Sequence, residues 1–294
     1  TANGVIKFLP IDDPSNIDKK EQKLGYLLYK DYEDMIRNIW SAGLLYFFAQ
    51  YLWKGYDISM FNDTFWHNYF KTYDILNVVI PYRELLKTIC DELEIKQGEK
   101  ILEAGSGTGN LALEIRGRGG NVISLDNSKE GLKRHIAKDT TAKVVLGDLT
   151  KKLPFRDNYF DKICSNNTLY TIPVNKIDAI MKEFYRILKP NGKMVISNLA
   201  KNYSPLKIYS EHIKKSVKYA GLFYTIKNLA ELTVPTIKMF YYNFLIKKQS
   251  EGGNFSFFDT NEQKELLGRN GFMNISENKK VFGDQAIMNH GFKL

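Results

Sequence analysis

Cysteine is scarce in this sequence, and its scarcity excludes two classes of protein. Cys90 and Cys164 are the only two in 294 residues, and they lie far apart in no metal-ligand spacing. A disulfide-stapled domain needs more cysteines, and a structural zinc site needs clustered cysteine and histidine ligands. Both cysteines are therefore expected to be reduced, buried thiols, and no metal site is predicted.

Long apolar runs are also missing. The longest nearly apolar stretch, residues 42–53, contains a glutamine and is well short of the roughly 20 residues of a membrane-spanning helix. The first residues lack the basic and apolar regions of a secretory signal, so a cytoplasmic protein is the default expectation. With 44% hydrophobic and 26% charged residues, the composition indicates a folded globular chain rather than a disordered one.

Positive charge is concentrated in the last two thirds of the chain. The net charge is −3 over residues 1–98, but +6 over residues 99–200 and +6 over residues 201–294. From Lys201 to Lys248, nine lysines accompany two glutamates and no arginine. Because specific reading of bases favours arginine, no specific nucleic-acid partner is predicted. A solvated basic face is the simplest interpretation, and a weak contact with an anionic membrane surface remains the alternative.

The spacing of apolar residues divides the chain into four parts. The first is rich in aromatic residues at helical spacing, with helices predicted over residues 31–53 and 61–79. The second alternates strands with helices, and a third, helical part interrupts that alternation before it resumes. The predicted parts are a helical extension (1–81), a core (82–200), a helical insertion (201–250) and a C-terminal part of the core (251–294).

Alternating strands and helices predict an α/β fold, a doubly wound and mostly parallel sheet with helices on both faces. A Pro190-Asn191-Gly192 turn is predicted to separate the helix that ends near Leu188 from the fifth strand, and the last short strands suggest an antiparallel edge. The predicted strands span residues 100–103, 121–126, 143–146, 160–165, 193–197, 272–277 and 286–293.

The most informative segment follows the first predicted strand. Glu103 ends that strand, and Gly105, Gly107 and Gly109 follow at two-residue intervals before a helix begins. Glycines permit a tight turn and a close approach of ligand to backbone, and a helix N-terminus offers unpaired N–H groups. A dinucleotide site is not favoured, because the third glycine of its spacing is replaced by Asn110. Glu103 can instead pair with a cationic amino group, while loop amides receive a carboxylate.

Polar residues also follow the next three predicted strands. Asp126, with Asn127 after it, ends the second strand, where a carboxylate can accept from both hydroxyls of a ribose. Asp148 follows the third strand, where it can accept from an adenine amine while Leu149 packs on the ring. Asn166 follows the fourth. Open α/β sheets bind ligands at the carboxyl ends of their strands, so these residues are predicted to line one crevice.

These motifs resemble those of the class I S-adenosylmethionine-dependent methyltransferases. The resemblance covers residues 82–199 and rests on Leu102-Glu103-Ala104-Gly105-Ser106-Gly107-Thr108-Gly109, Leu125-Asp126, Gly147-Asp148-Leu149 and Leu188-Lys189-Pro190-Asn191-Gly192-Lys193. Tyr73-Asp74-Ile75-Leu76-Asn77 is similar to a stretch of the group that includes the ubiquinone/menaquinone-biosynthesis C-methyltransferases. The long N-terminal extension and the insertion after the fifth strand depart from those enzymes.

The resemblance implies a seven-stranded, Rossmann-like sheet whose last strand is antiparallel, and an enzyme that uses S-adenosylmethionine and releases S-adenosylhomocysteine. Methyl transfer would be an in-line displacement, with Tyr73 and Tyr170 as the candidates for an aromatic face near the sulfonium. The helical extension and the insertion are expected to form a lid over a small, hydrophobic or aromatic acceptor. If a general base is needed, the weak candidates are His67 and His212.

Two other classes of function remain as alternatives. A nucleic-acid methyltransferase would suit the basic charge, but methylators of base amino groups carry an Asn/Asp-Pro-Pro-aromatic run after the fourth strand. Here the corresponding residues are Ser165-Asn166-Asn167-Thr168. The other alternative is a non-catalytic or membrane-surface protein that retains the fold, against which the intact glycine loop and its acids argue. Binding of S-adenosylmethionine discriminates between these classes. The oligomeric state is not predicted.

Overall fold

A computed structural model describes residues 63–251, 257–259 and 261–294, so the helix predicted over residues 31–53 lies outside it. The described residues belong to two compact units. One contains residues 209–233, and the other contains residues 63–208 together with the described part of 234–294. The division of the chain at residues 81, 200 and 250 stays a prediction.

Helices and strands alternate through the larger unit, as the apolar pattern indicated. The helices are α1 (Asp63–Tyr73), α2 (Ile80–Leu93), α3 (Asn110–Gly117), α4 (Lys129–Lys138), α5 (Val174–Ile187), α6 (Pro205–Ala220), α7 (Leu222–Glu251) and α8 (Glu262–Arg269). The strands are β1 (Lys100–Ala104), β2 (Asn121–Asp126), β3 (Lys143–Leu146), β4 (Phe160–Asn166), β5 (Leu188–Leu199), β6 (Lys279–Val281) and β7 (Ala286–Phe292). Two 3₁₀ turns span Asp74–Val78 and Leu169–Thr171.

Seven strands form one sheet in the order β3-β2-β1-β4-β5-β7-β6. The first five are parallel to one another, and β7 runs antiparallel to both β5 and β6. The predicted α/β fold, with a mostly parallel sheet and an antiparallel edge, is therefore confirmed. The strand order reverses between β1 and β4, and such a switch point is where open α/β sheets bind ligands.

The sheet is stable because apolar side chains cover both of its faces. Ile101, Leu102 and Ile163 are fully buried in the central strands. Helices α2 and α5 pack on the sheet through one apolar stripe each, whose central residues Ile89 and Phe184 are inaccessible to solvent. The short apolar runs of the strands and the apolar stripes of the helices thus pack against each other in a single core.

The Pro190-Asn191-Gly192 segment does not separate α5 from the fifth strand, as had been predicted. Strand β5 already begins at Leu188, which pairs with Phe160, and pairing resumes at Lys193 opposite Lys162. The extra residues between these pairs form a bulge, in which Asn191 has a φ of 61°. The turn-forming residues therefore make an irregularity inside a strand instead of a connection between elements.

The prediction of a strand over residues 272–277 was also wrong. Met273 exchanges backbone hydrogen bonds with Phe292 of β7, but Asn274 has a φ of 50° and interrupts the pairing. The strand that continues this edge is β6, which is polar except for Val281. A solvated edge strand carries little apolar pattern, so the buried Phe272 drew the prediction to the wrong segment.

Pro235 lies inside α7 and does not end the helix. The backbone of α7 is helical from Leu222 to Glu251, through the proline. A proline removes one backbone hydrogen bond from a helix interior, so it can kink a helix without ending it. Among the residues that the structure describes, no helix combines the length and apolar character needed to cross a bilayer.

Candidate cofactor site

The loop between β1 and α3 is a tightly packed glycine turn. Gly105, Gly107 and Gly109 have φ values of 78°, 51° and 76°, which side-chain-bearing residues rarely adopt. A Cβ on Gly105 would lie 2.2 Å from the side chain of Thr168, and one on Gly109 would lie 2.2 Å from the ring of His135. The glycines are therefore required both by the backbone conformation and by the close approach of neighbouring side chains.

Most loop amides are already used within the protein. The N–H groups of Gly105 and Ser106 donate to the Leu125 carbonyl oxygen at 2.8 and 3.1 Å. The Gly107 N–H donates to Asp126 Oδ2 at 2.7 Å, and the Gly109 N–H donates to the Ser106 carbonyl oxygen at 2.9 Å. These amides were expected to receive the carboxylate of a ligand, but acceptors within the protein already compete for them. What the loop offers a ligand is mainly close access to its backbone.

Asp126 joins the glycine loop to the end of β2. Its second oxygen, Oδ1, accepts from the Ser128 N–H at 2.8 Å, and the residue is buried. Burial raises the pKa of this carboxyl, and hydrogen bonds from the backbone of Gly107, Ser128 and Asn127 oppose the rise. Each carboxylate oxygen can accept more than one hydrogen bond, so Asp126 can still accept from ligand hydroxyls.

Glu103 lies at the carboxyl end of β1, where its Oε2 accepts from the Ser124 hydroxyl at 2.9 Å. The residue is buried, and this burial raises the pKa of the Glu103 carboxyl from 4.5 to about 8. At neutral pH the ligand-free protein thus keeps Glu103 mostly protonated. A cationic group beside it would favour the carboxylate, as expected for a residue that pairs with an ammonium.

Glu103 is expected to make the stability of the ligand-free protein fall as the pH rises. Its carboxyl titrates near 4.5 when unfolded and near 8 when folded, so between these values the folded state binds one more proton. The free energy of unfolding should therefore decrease by about 1 kcal/mol per pH unit from this group. Urea unfolding of wild type and Glu103→Gln from pH 5 to pH 8 measures it. Parallel pH profiles for the two proteins would contradict the assignment.

The remaining residues predicted to hold the cofactor lie at the same end of the sheet. Asp148 is exposed, and its Oδ1 accepts from the backbone N–H and the hydroxyl of Thr150 at 2.8 and 2.7 Å. Leu149 is buried, whereas Asn127 is exposed. Asn166 ends β4, next to β1 in the sheet. Asp148 therefore caps its own loop through one oxygen and leaves the other for a ligand.

The stretch around Tyr73 has a role that the sequence did not reveal. Asp74 Oδ1 accepts from the Thr108 hydroxyl at 2.6 Å and from Lys138 Nζ at 2.8 Å. Asn77 Nδ2 donates to Asn110 Oδ1 at 3.0 Å. The aspartate and asparagine of this stretch thus tie it to the glycine loop and to the first residue of α3. Tyr73 itself is half-buried, with its ring edge-on to that of Tyr82 at 6.2 Å.

The two histidines suggested as bases occupy different surroundings. His67 lies on α1, and its Nδ1 is 3.2 Å from Glu130 Oε2 of α4. His212 is buried on α6, within the unit that contains residues 209–233, and its ring lies 5.9 Å from that of Tyr209. Neither contact places a histidine at the glycine loop. Among the described residues, no group of three or more histidine, cysteine, aspartate or glutamate side chains could hold a metal ion.

Aromatic residues from both predicted lid segments meet within the larger unit. The Tyr242 ring of α7 lies 5.4 Å from that of Phe65 and 5.9 Å from that of Tyr69, both on α1. The Phe257 ring stacks on Tyr170 at 4.7 Å and on Tyr203 at 5.3 Å. Burial raises the pKa of Tyr69, Tyr170 and Tyr203, so their hydroxyls are neutral at physiological pH.

Several buried oxygen atoms beside the loop have no hydrogen-bond partner among the described residues. They are Ser106 Oγ in the loop itself, and Asn166 Oδ1 and Asn167 Oδ1 at the end of β4. A buried acceptor without a donor is costly, so these atoms favour a ligand that brings donors. S-Adenosylmethionine carries an ammonium, two ribose hydroxyls and an adenine amine. Its chemistry fits the acidic and acceptor-rich end of this sheet.

The sheet order, the glycine loop and the acid after β2 define the class I, Rossmann-like methyltransferase fold. Comparison with known proteins agrees: residues 102–196 match the model of the methyltransferase domain family. Two solved structures share the fold. One is a SAM-dependent methyltransferase from Thermotoga maritima, with a TM-score of 0.50 and 16% identity over 78% of this chain and 100% of that one. The other is the protein in complex with the Haloferax volcanii Trm112 methyltransferase activator, with a TM-score of 0.51 and 14% identity over 76% and 93%.

Residues 102–196 thus form a methyltransferase domain of the class I S-adenosylmethionine-dependent type. The chain is 32% identical over 151 residues to the ubiquinone/menaquinone biosynthesis C-methyltransferase UbiE of Neisseria meningitidis. This similarity covers 48% of the chain and 60% of that relative's length. The chain is also 29% identical over 168 residues to the demethylmenaquinone methyltransferase of Corynebacterium glutamicum, covering 55% and 69%.

Proposed function

We propose that the protein transfers a methyl group from S-adenosylmethionine to a small, hydrophobic or aromatic acceptor. The observation that carries this proposal is the set of buried acceptors at the carboxyl ends of β1, β2 and β4, beside a glycine loop. Glu103 and Asp126 are buried acids that a cationic ligand would pair with, and the oxygen of Asn166 lacks a donor that a ligand could bring. The matched domain family and the names of the relatives support the same reaction.

Each part of the cofactor has residues of matching chemistry. The amino-acid end would lie along Gly105–Gly109, with its ammonium at Glu103. The ribose hydroxyls would donate to Asp126, beside Asn127. The adenine amine would donate to the oxygen of Asp148 that Thr150 leaves unused, and the ring would pack on Leu149. Asn166 and Tyr73 would line the side of the cofactor that faces the acceptor.

When bound, the cofactor supplies a methyl group that its sulfonium already activates for displacement. The task of the protein is therefore alignment and exclusion of water rather than strong acid–base chemistry. Thr168 helps to fix the loop, because its hydroxyl donates to the carbonyl oxygen of Gly105 at 3.2 Å. The ties of Asp74 and Asn77 hold the Tyr73 stretch at the start of α3. These contacts fix the backbone that would align the methyl group of the cofactor with the attacking atom of the acceptor.

The aromatic residues support an apolar acceptor. Rings from α1, from α7 and from the Tyr170 and Phe257 segments would form most of its pocket, as is usual for small-molecule sites. Their neutral hydroxyls can orient a polar group but are poor bases at physiological pH. If the acceptor needs a base, His67 and His212 remain the proposed candidates. The quinone-biosynthesis names of the relatives agree with an apolar acceptor.

The proposed function is tested by methyl transfer from radiolabelled S-adenosylmethionine. Quinols, phenols, hydrophobic amines, lipids and a mixed RNA are supplied separately to the full chain. Label should enter one of the small apolar acceptors and not the RNA, and Asp126→Ala should lower transfer at subsaturating cofactor at least tenfold. Transfer to RNA in preference to all small molecules would contradict the proposal. Cofactor binding without transfer to any acceptor would favour a non-catalytic role instead.

A further inference from the structure

The unit that contains residues 209–233 includes a helical hairpin. Gly221, with a φ of 80°, lies between α6 and α7. The Thr225 hydroxyl donates to the Gly221 carbonyl oxygen at 2.8 Å, and its oxygen lies 2.9 Å from the Ser216 hydroxyl of α6. Both of these side chains are buried between the helices. We call residues 214–227 the hairpin tip.

The first turn of α7 exposes large apolar side chains at the hairpin tip. Phe223 is 83% exposed, Ile226 52% and Tyr224 40%. Thr225, between them, is 2% exposed and faces α6, so the three apolar residues point away from the hairpin. Single exposed apolar residues are common, but three within four positions form a patch of the kind that marks a binding surface.

Lysines surround this apolar patch. Lys214 and Lys218 are exposed one helical turn apart on α6, and Lys227 is exposed directly after Ile226 on α7. In residues 209–229 the acidic side chain is Glu211, which lies 3.6 Å from Lys215. The hairpin tip is thus apolar at its centre and positively charged at its margin.

We propose that the hairpin tip docks on an anionic lipid bilayer. Phe223 and Ile226 would enter the boundary between headgroups and acyl chains, and Lys218 and Lys227 would lie among the lipid phosphates. Interfacial helices bind in this way, through shallow apolar burial combined with attraction to anionic lipids. The proposal does not rest on the enzymatic function, because its contacts lie in the hairpin alone.

The insertion was predicted to form part of a lid over the acceptor, and its apolar residues divide into two sets, so a lid and a lipid contact do not compete for the same side chains. Phe223 and Tyr224 are exposed, whereas Tyr242, Leu245 and Ile246 pack against the core of the larger unit.

A lipid surface fits this patch better than a nucleic acid does. The cations are all lysines, which act as point charges, whereas bidentate phosphate recognition and stacking on bases favour arginine. Ile226 and the strongly exposed Phe223 add aliphatic and aromatic area that can be buried among acyl chains. Two of the three apolar residues are aromatic, and aromatic side chains suit the interfacial region of a bilayer.

Co-sedimentation of the full chain with lipid vesicles tests the proposal. Vesicles of phosphatidylglycerol and phosphatidylcholine in equal parts should bind the protein at low salt, and vesicles of phosphatidylcholine alone should bind it weakly. Raising the salt to about 0.5 M shortens the Debye length to a few ångströms and should abolish most of the binding. No binding to the anionic vesicles at low salt would overturn the proposal.

Matched variants locate the contact. Phe223→Ser should weaken binding to anionic vesicles by about tenfold. Lys218→Gln with Lys227→Gln should weaken it by about 25-fold, because each lysine near an anionic surface contributes roughly fivefold. The controls are Val174→Ser, at an apolar residue that is 60% exposed, and Lys133→Gln with Lys176→Gln. Equal losses in variants and controls, or tighter binding of a mixed RNA than of the vesicles, would contradict a lipid-docking tip.

Discussion

Asp126→Ala is expected to weaken the binding of S-adenosylmethionine at least tenfold. The proposed hydrogen bonds from the two ribose hydroxyls are charge-assisted, and each is worth about 1.5–3 kcal/mol. The alanine also releases the N–H groups of Gly107 and Ser128, which now donate to the Asp126 carboxylate. Both effects would act on the same ligand, because the first would hold the ribose and the second holds the loop along which the amino-acid end is proposed to lie. Isothermal titration with wild type and variant measures the loss.

Two further variants separate these effects. Asp126→Asn keeps one oxygen that can accept from a backbone N–H but removes the charge, so its affinity should lie between those of the other two proteins. Asp139→Ala removes an aspartate whose Oδ1 accepts from the Thr141 N–H at 3.0 Å in an exposed turn after α4, and it should bind the cofactor as wild type does. Unchanged affinity in Asp126→Ala would contradict the assignment of Asp126 to the cofactor site.

Gly105→Ala is expected to destabilise the protein and to impair cofactor binding severely. Left-handed backbone costs an alanine about 1–2 kcal/mol, and the new Cβ would lie 2.2 Å from the Thr168 side chain. Relief of such an overlap by shifts in a packed core typically costs a further 1–3 kcal/mol or so. Because the shift must occur in the loop or at the end of β4, it displaces the backbone that the cofactor would contact. Urea unfolding and cofactor titration measure the two consequences.

Gly98 provides a matched control for this substitution. It has the same φ of 78°, but a Cβ there would meet nothing within 4 Å. Gly98→Ala should therefore lose only the stability that left-handed backbone costs an alanine, and it should bind the cofactor normally. In a double-mutant cycle, Thr168→Ala should recover part of the stability lost in Gly105→Ala, since two of the three overlapping atoms disappear. Equal destabilisation at the two glycines would show that close packing of the loop is unimportant.

The centre of the sheet was predictable because its sequence carries a strong local signal. Strands Asn121–Asp126 and Lys143–Leu146 were predicted with the bounds that the structure has. Buried parallel strands read as short apolar runs, and amphipathic helices between them mark the crossovers. The edge strand β6 was not predicted, for the converse reason. β6 exposes both of its lysines, so nothing in its apolar pattern distinguishes it from a loop.

The acids and glycines of the candidate site could be proposed from the sequence because their residue types and their positions after strands are informative. Their partners could not. Thr168 and His135 contact the glycine turn from distant parts of the chain, and neither residue type signals that contact. Lys138 reaches Asp74 across 64 residues of sequence. Such pairs depend on how helices pack over the loop, which a single sequence does not encode in any local pattern.

The pKa of Glu103 is another property that the sequence could not supply. An acid at the end of a strand suggests a carboxylate, yet burial raises its pKa to about 8. The cofactor's ammonium would reverse that shift by favouring the charged form. Burial in the folded protein therefore decides the charge that Glu103 carries before binding, and the ammonium would decide it afterwards.

Calorimetric titration of the full chain with S-adenosylhomocysteine and, separately, with NADH tests the cofactor assignment most directly. Both ligands carry adenosine, so the comparison asks whether the site takes an amino-acid end or a pyrophosphate. We expect saturable one-to-one binding of S-adenosylhomocysteine, weakened at least tenfold in Asp126→Ala, and no measurable binding of NADH. Tight binding of NADH without binding of S-adenosylhomocysteine would contradict the cofactor assignment.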